Sequence, residues 1–207
     1  MQAREHWESV YRSKAADQVS WYRPHLERSL RTIEAAGLNR DAAIIDVGGG
    51  ASTLVDDLLA RGYTNVTVLD VSPQALETAK ARLGARAARV RWLVADVTRA
   101  DLPAAAYDCW HDRAVFHFLR EEAERRRYVA AVRRSVKPGG HVLIATFGPD
   151  GPSRCSGLDV VRYGADQLHA AFGGEFQKVD SATEIHTTPG GKPQQFVYCH
   201  CRLGAPR

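Results

Sequence analysis

The sequence predicts an α/β fold built on a mostly parallel sheet. Three observations carry this reading. Short apolar runs alternate with helical stretches from residue 41 to 147, the first run breaks at a glycine-rich turn, and the last two runs follow each other with no helix between them. A length of 207 residues suits one domain, so 1–207 is read as a single unit. Within it, residues 1–40 form N-terminal helices and 41–207 the sheet domain.

Residues 4–12 place Trp7, Val10 and Tyr11 on one helical face. After SWYRP, Pro24 suits the first turn of a second helix, which turns Leu26, Leu30 and Ile33 inward and ends near Gly37. Residues 42–47 (AAIIDV) read as a buried strand, and 52–61 as a helix after GGGAS. Residues 65–71 are the second strand. Ser72 then caps and Pro73 opens a helix to Leu83. Residues 90–96 and 107–112 supply the third and fourth strands. A helix over 121–135 stops at Lys137-Pro138-Gly139-Gly140, before a fifth strand at 141–147. The Gly/Pro/Ser-rich stretch 148–161 has the length of a loop with a task. A short helix over 164–172 and two antiparallel strands joined across TTPGGKP complete seven strands.

Composition excludes several classes. Hydrophobic residues are 44% and charged residues 25%, which rules out a mainly disordered chain. No apolar run approaches the ~18–20 residues of a membrane span, and the charged opening MQAREHWESV has no apolar secretory core. No membrane association is therefore expected, and the cytoplasm is the default location. The net charge of +4 comes from an Arg-rich composition with ordinary helix-face pairs such as Glu121–Arg125, so no nucleic-acid partner is expected. The four cysteines are few and scattered. Cys199, His200 and Cys201 resemble a metal cluster, but strand alternation puts His200 on the face opposite the two thiols, so no metal site is expected.

The chemistry-bearing signal is Asp46-Val47-Gly48-Gly49-Gly50, at the end of the first strand and the opening of a helix. Glycines there let backbone approach a ligand, although a tight strand–helix turn can use them alone. Asp70 ends the second strand, 22 residues after Gly48, where a carboxylate can accept both hydroxyls of a ribose. Asp96-Val97 ends the third, where the carboxylate can accept from an adenine amino group while Val97 packs on the ring. Either aspartate could instead cap a helix. Three carboxylates at successive strand ends face the crevice where open α/β sheets bind ligands. The ligand could be NAD or S-adenosylmethionine. Thr53 stands where a dinucleotide turn has its third glycine, and Asp46 can orient the loop near a cationic methionine moiety.

The runs IIDVGGGAS, VTVLDVS, WLVADV, YDCWHDRAVFHFL and VKPGGHVLIATF, with the terminal hairpin, resemble the class I S-adenosylmethionine-dependent methyltransferases over residues 41–203. The resemblance implies a Rossmann-like seven-stranded fold, S-adenosylmethionine as cofactor and S-adenosylhomocysteine as product. It implies a cofactor site of Asp46, Gly48, Gly49, Gly50 and Ser52 at the amino-acid part, Asp70 and Val71 at the ribose, and Asp96 and Val97 at the adenine. His111 would line the pocket, with Trp7, Tyr11 and Trp21 as its lid. Through Trp7, Trp21 and Asp112-Arg113 the chain is also similar to the thiopurine, thiol and halide methyltransferases, and through HWESVY to small protein-lysine modifiers. The N-P-P-Y motif of amino-methylating relatives is absent, with His111-Asp112-Arg113-Ala114 in its place.

Methyl transfer from a sulfonium is an in-line displacement, so alignment and water exclusion are the protein's main contributions. A thiol needs little help to react, whereas an ammonium wants a base. The catalytic candidates are Asp112 as base or anchor, Arg113 as a bidentate partner of an acidic acceptor, and His117 one turn on. Each could equally hold the loop together. Cys155 is read as a packing thiol. The expected activity is methyl transfer to a small-molecule nucleophile such as a thiol. The alternatives are a protein-lysine methyltransferase and a non-catalytic nucleotide-binding protein. The sequence leaves the oligomeric state open.

Overall fold

The computed structural model describes residues 2–205; the first residue and the last two of the 1–207 span lie outside the described residues. Seven strands form one sheet: β1 (Ala43–Val47), β2 (Asn65–Asp70), β3 (Val90–Val94), β4 (Tyr107–Arg113), β5 (Val136–Phe147), then β8 (Phe176–Thr187) and β9 (Pro193–Leu203). A separate two-stranded ribbon, β6 (Arg154–Cys155) and β7 (Leu158–Asp159), folds within the 148–161 loop. Spatial order in the large sheet is β3-β2-β1-β4-β5-β9-β8. The first five strands run parallel and the last two pair antiparallel.

Strand alternation sorts the apolar residues into two cores, one on each face. Ile45, Trp110 and Ile144 meet α5 (Glu122–Ser135) and α6 (Ala165–Ala170) through Tyr128, Val132 and Leu168. Ile44, Val68 and Leu143 meet α2 (Glu27–Ala35), α3 (Leu54–Ala60) and α4 (Pro73–Leu83) through Leu30, Leu54 and Leu76. β1 is buried along its whole length, which is why it reads as an apolar run interrupted only by Asp46. α1 (Gln2–Ser13) lies outside both layers, across the C-terminal end of the sheet. Among the described residues, no helix is long and apolar enough to cross a membrane.

Several boundaries differ from the expectation. Pro24 does not open a helix; α2 begins at Glu27. Residues 23–26 are instead used in docking onto α3: Thr53 Oγ1 donates to the Arg23 carbonyl, and the Asp57 carboxylate takes the Leu26 N–H and the His25 ring. Residues 137–140 are not a loop but the start of β5, bent at Gly139 where φ is +77°. β3 ends at Val94, so Asp96 and Val97 sit in the turn that follows it. The Ser72 cap is as expected, its hydroxyl accepting from the Ala75 N–H at 3.2 Å.

Candidate active site

A cavity of about 260 Å³ lies across the C-terminal ends of β1–β4, roofed by α1 and the 16–26 segment. This is the crevice position where open α/β sheets take ligands. Twelve of the thirteen cofactor candidates line it, from Trp7, Tyr11 and Trp21 in the roof to Asp96 and Val97 at the far end. The thirteenth, Gly50, lies beneath the Asp70 carboxylate and the Tyr11 hydroxyl: a Cβ there would come within 2.6 Å and 3.1 Å of them.

The glycine turn is packed against three elements at once. Gly48 has φ +66°, and a Cβ on it would overlap the Val115 methyl. A Cβ on Gly49 would meet Asp46 Oδ2 at 2.6 Å. The Gly48 and Gly49 N–H groups both donate to the Leu69 carbonyl, at 2.7 Å and 3.3 Å, so β2 sets the height of the turn. Beside it, Asp46 Oδ1 meets His111 Nδ1 at 2.7 Å, and His111 Nε2 meets the Ser29 hydroxyl at 2.8 Å. That chain fixes both side chains and leaves Asp46 Oδ2 buried with no hydrogen-bond partner.

Asp70 uses one oxygen internally: Oδ1 accepts from the Ser72 N–H at 2.8 Å. Burial pushes its carboxyl up to about 7, with the nearby Asp46 charge adding to the effect. Asp96 is exposed, and its Oδ1 accepts from the Thr98 N–H and hydroxyl at 2.9 Å and 2.7 Å. Asp70 therefore keeps its second oxygen for another partner, and among the described residues the second oxygen of Asp96 has only the Arg99 guanidinium, 3.9 Å away.

The roof is aromatic. Trp7 meets Phe118 and Trp21 edge to face at 5.0 Å and 5.8 Å, and Tyr11 meets Trp21 at 6.2 Å. It is held at two ends by contacts that local sequence patterns do not signal. Glu8 Oε1 accepts from the Ser72 hydroxyl at 2.6 Å and the Gln74 N–H at 2.9 Å, so α1 supplies a cap to α4. These bonds hold the Glu8 carboxyl below its usual range. At the other end, Arg23 pairs with Glu184 on β8, and His186 Nε2 donates to the Ser20 carbonyl at 2.7 Å.

Two of the three catalytic candidates face away from the cavity. Asp112 is completely buried, and both its oxygens are taken: Oδ1 by the Val115 N–H at 2.8 Å, Oδ2 by the Phe116 N–H at 3.1 Å and the Tyr128 hydroxyl at 2.5 Å. It shapes the turn after β4, where Ala114 sits at φ +77°. Asp112, expected as a base or acceptor anchor, is not among the residues lining the cavity, and both its oxygens are engaged within the fold. His117 is also completely buried; its Nδ1 accepts from the Phe147 N–H at 3.2 Å. Burial and the Arg113 cation lower its pKa to about 3, so it stays neutral and outside the cavity lining. Arg113 does line the cavity. Cys155 lines it too, on the β6–β7 ribbon, with burial pushing its thiol up to about 11. Cys199 and Cys201 share one face of β9 with sulfurs 3.4 Å apart, and His200 faces His141 on the other side.

Residues 44–140 match the methyltransferase domain family. Over that stretch the chain is similar to methyltransferase domains. It is 24% identical to EEF1A lysine methyltransferase 2 of Danio rerio over 158 residues, 69% of this chain and 67% of that one. It spans half or less of several other curated relatives. Its fold matches a structure solved in work on the conversion of a disulfide bond into a thioacetal group during echinomycin biosynthesis. That match has a TM-score of 0.79 and 20% identity, over 97% of this chain and 91% of the other. It also matches 1,6-didemethyltoxoflavin-N1-methyltransferase of Burkholderia thailandensis with bound 1,6-didemethyltoxoflavin and S-adenosylhomocysteine, at TM-score 0.66 and 23% identity, over 99% and 85%. The donor set of this cavity fits S-adenosylmethionine. Asp46 Oδ2 is a partnerless anionic oxygen for a cationic amino-acid part, and Asp70 and Asp96 keep oxygens for hydroxyl and amino donors.

Proposed function

We propose that the protein moves the methyl group of S-adenosylmethionine to a small molecule bearing a thiol or a similar soft nucleophile. One observation carries the choice of nucleophile. At the end of β4, which this reading takes as the reaction end, none of the three titratable side chains His111, Asp112 and His117 is free to act as a general base. Asp112 and His117 are turned away, and both nitrogens of His111 are engaged. An ammonium acceptor needs its proton removed, whereas a thiol of pKa ~8.5 supplies some thiolate unaided near neutral pH.

When bound, the cofactor supplies an electrophilic methyl on a sulfonium sulfur. The chain's own residues bind, orient and exclude water. In this reading Asp70 holds the ribose, Asp96 and Val97 hold the adenine, and Asp46 with the Gly48–Gly50 turn faces the amino-acid part. Trp7, Tyr11 and Trp21 close the site over the reacting atoms, where alignment can contribute up to ~7–11 kcal/mol. The small roofed cavity agrees with a small acceptor, and with the thiol methyltransferase-like branch suggested by Trp7, Trp21 and Asp112-Arg113.

The lysine-modifying relative supplies the competing reading; the Arg113 cation at the end of β4 counts against an ammonium at that point, while Asp46, Asp70, Asp96 and Glu124 also line the cavity. The test is S-adenosylhomocysteine release with thiols, with amines and with whole lysate, after cofactor binding is measured by calorimetry. Release with thiols is expected. Label from a methyl-labelled cofactor appearing only on a protein band would overturn the small-molecule reading, and a lack of cofactor binding would overturn both.

A further inference from the structure

Arg113 ends β4 with its guanidinium held on three sides. Nε donates to the Tyr198 hydroxyl at 3.2 Å, Nη1 donates to the Trp21 carbonyl at 3.0 Å, and Cζ lies 4.2 Å from the centre of the Phe196 ring. All three neighbours are uncharged. No carboxylate stands within ion-pair distance of Arg113 among the described residues, and its Nη2 is buried without a hydrogen-bond partner. A guanidinium cannot shed its proton, and buried cations are ordinarily matched by an anion. The acid reached through Tyr198 is Glu184, whose Oε2 accepts from that hydroxyl at 3.0 Å. Glu184 is already paired with Arg23. Two cations against one carboxylate leave this end of the cavity with an excess positive charge. Asp70 and Asp96 line the cavity over β2 and β3, Asp46 is bonded to His111 of β4, and Glu124 of α5 lines it as well. Arg113 is thus the cation of this cavity lining that has no carboxylate partner of its own among the described residues.

We infer that Arg113 is a carboxylate-binding residue of this cavity, offering the Nη2 donor that Tyr198 and Trp21 leave without a partner. Two bound molecules could bring that carboxylate: the acceptor, or the cofactor through its amino-acid part. If the acceptor brings it, which rests on the small-molecule reading above, the substrate class is a thiol acid. The fixed guanidinium plane suits a planar carboxylate, because little side-chain freedom remains to be lost.

The probes are thiosalicylate and thiophenol, titrated by calorimetry into the full chain saturated with S-adenosylhomocysteine. S-adenosylhomocysteine and its decarboxylated analogue are titrated separately into the free protein. Wild type, Arg113→Gln and Arg113→Lys are compared, with thermal melts to show that each variant is folded. An acceptor carboxylate predicts that wild type prefers thiosalicylate by at least about tenfold, and that Arg113→Gln erases the preference without changing cofactor affinity. Arg113→Lys, which keeps the charge but loses the planar guanidinium, should retain part of it. A cofactor carboxylate predicts instead that Arg113→Gln weakens S-adenosylhomocysteine about tenfold and leaves the decarboxylated analogue unaffected. If folded variants change neither comparison, Arg113 binds no carboxylate and the inference is overturned. Thiosalicylate that binds through Arg113 but is never methylated would overturn the sulfur reading of the activity alone.

Discussion

Asp70 gives the sharpest test of the cofactor site. Its carboxyl titrates at about 7 because burial disfavours the anion, while the acceptor role proposed for it needs the anion. Cofactor affinity should therefore rise with pH through this range. At pH 6 about one tenth of the carboxyl is ionised, so the dissociation constant should be about tenfold higher than at pH 8. The cofactor-free protein should show the opposite slope. A carboxyl whose folded value lies above its unfolded 3.8 favours the folded chain at low pH, and that contribution is lost as pH rises from about 4 to about 7. Roughly three units correspond to on the order of 4 kcal/mol. Asp70→Asn keeps an oxygen for the Ser72 N–H and removes the charge. It should melt higher than wild type at pH 8, bind S-adenosylhomocysteine roughly ten- to a hundredfold more weakly there, and lose the pH dependence. Calorimetry and thermal melts between pH 5.5 and 8.5 read all three. A wild-type affinity that is flat with pH, or an Asn variant that binds equally well, would refute Asp70 as a charged anchor.

Four further outcomes follow from the same geometry. Asp112→Ala strands the Tyr128 hydroxyl and two N–H groups, and should cost about 3 kcal/mol. That is a melting temperature roughly 6–12 °C lower for a chain of this size, and an unchanged melt would mean that Asp112 is not structural. Gly50→Ala puts a methyl against the Asp70 carboxylate and the Tyr11 hydroxyl at positive φ; cofactor affinity should fall at least about tenfold by calorimetry while the protein stays folded. Glu8→Ala removes the cap that α1 gives α4, so hydrogen exchange in residues 3–13 should rise and cofactor should dissociate faster; equal exchange would mean that the aromatic contacts hold the roof unaided. Cys155→Ala should leave the pH–rate profile unchanged, because a thiol that titrates at about 11 is not ionised at working pH.

The sheet was legible because its strands are apolar runs with few polar interruptions. β1 and the second half of β5 are buried on both faces, so their boundaries at Val47 and Phe147 coincide with the loss of apolar residues. The glycine turn and the Ser72 cap were legible for local reasons: positive φ and an orphan helix N–H each demand particular residues. Asp112 and His117 were not placed, because a motif after a strand says which residues cluster but not which side of the sheet holds the ligand. A signal was present: Asp112 is two residues from Trp110, so alternation turns both toward the same core. Glu8, Glu184 and His186 escaped notice for another reason. Their partners lie 64 to 166 residues away, beyond any local pattern.

The two tethers of the roof have a consequence for how the site comes into being during synthesis. Glu8 finds Ser72 early, but Arg23 and Ser20 must wait for Glu184 and His186, 161 and 166 residues later. At ~5–20 residues per second the ribosome needs roughly 8–30 s to cover that interval. Throughout it Trp21 has no finished wall to close against, because Tyr198 and Phe196, which fix Arg113 beneath it, emerge later still. The cofactor crevice over β1–β3 can form while the chain is growing. The Arg113 end of the cavity is the last part to be completed, and a nascent chain stalled before β9 would hold the glycine turn and Asp70 with that end still unwalled.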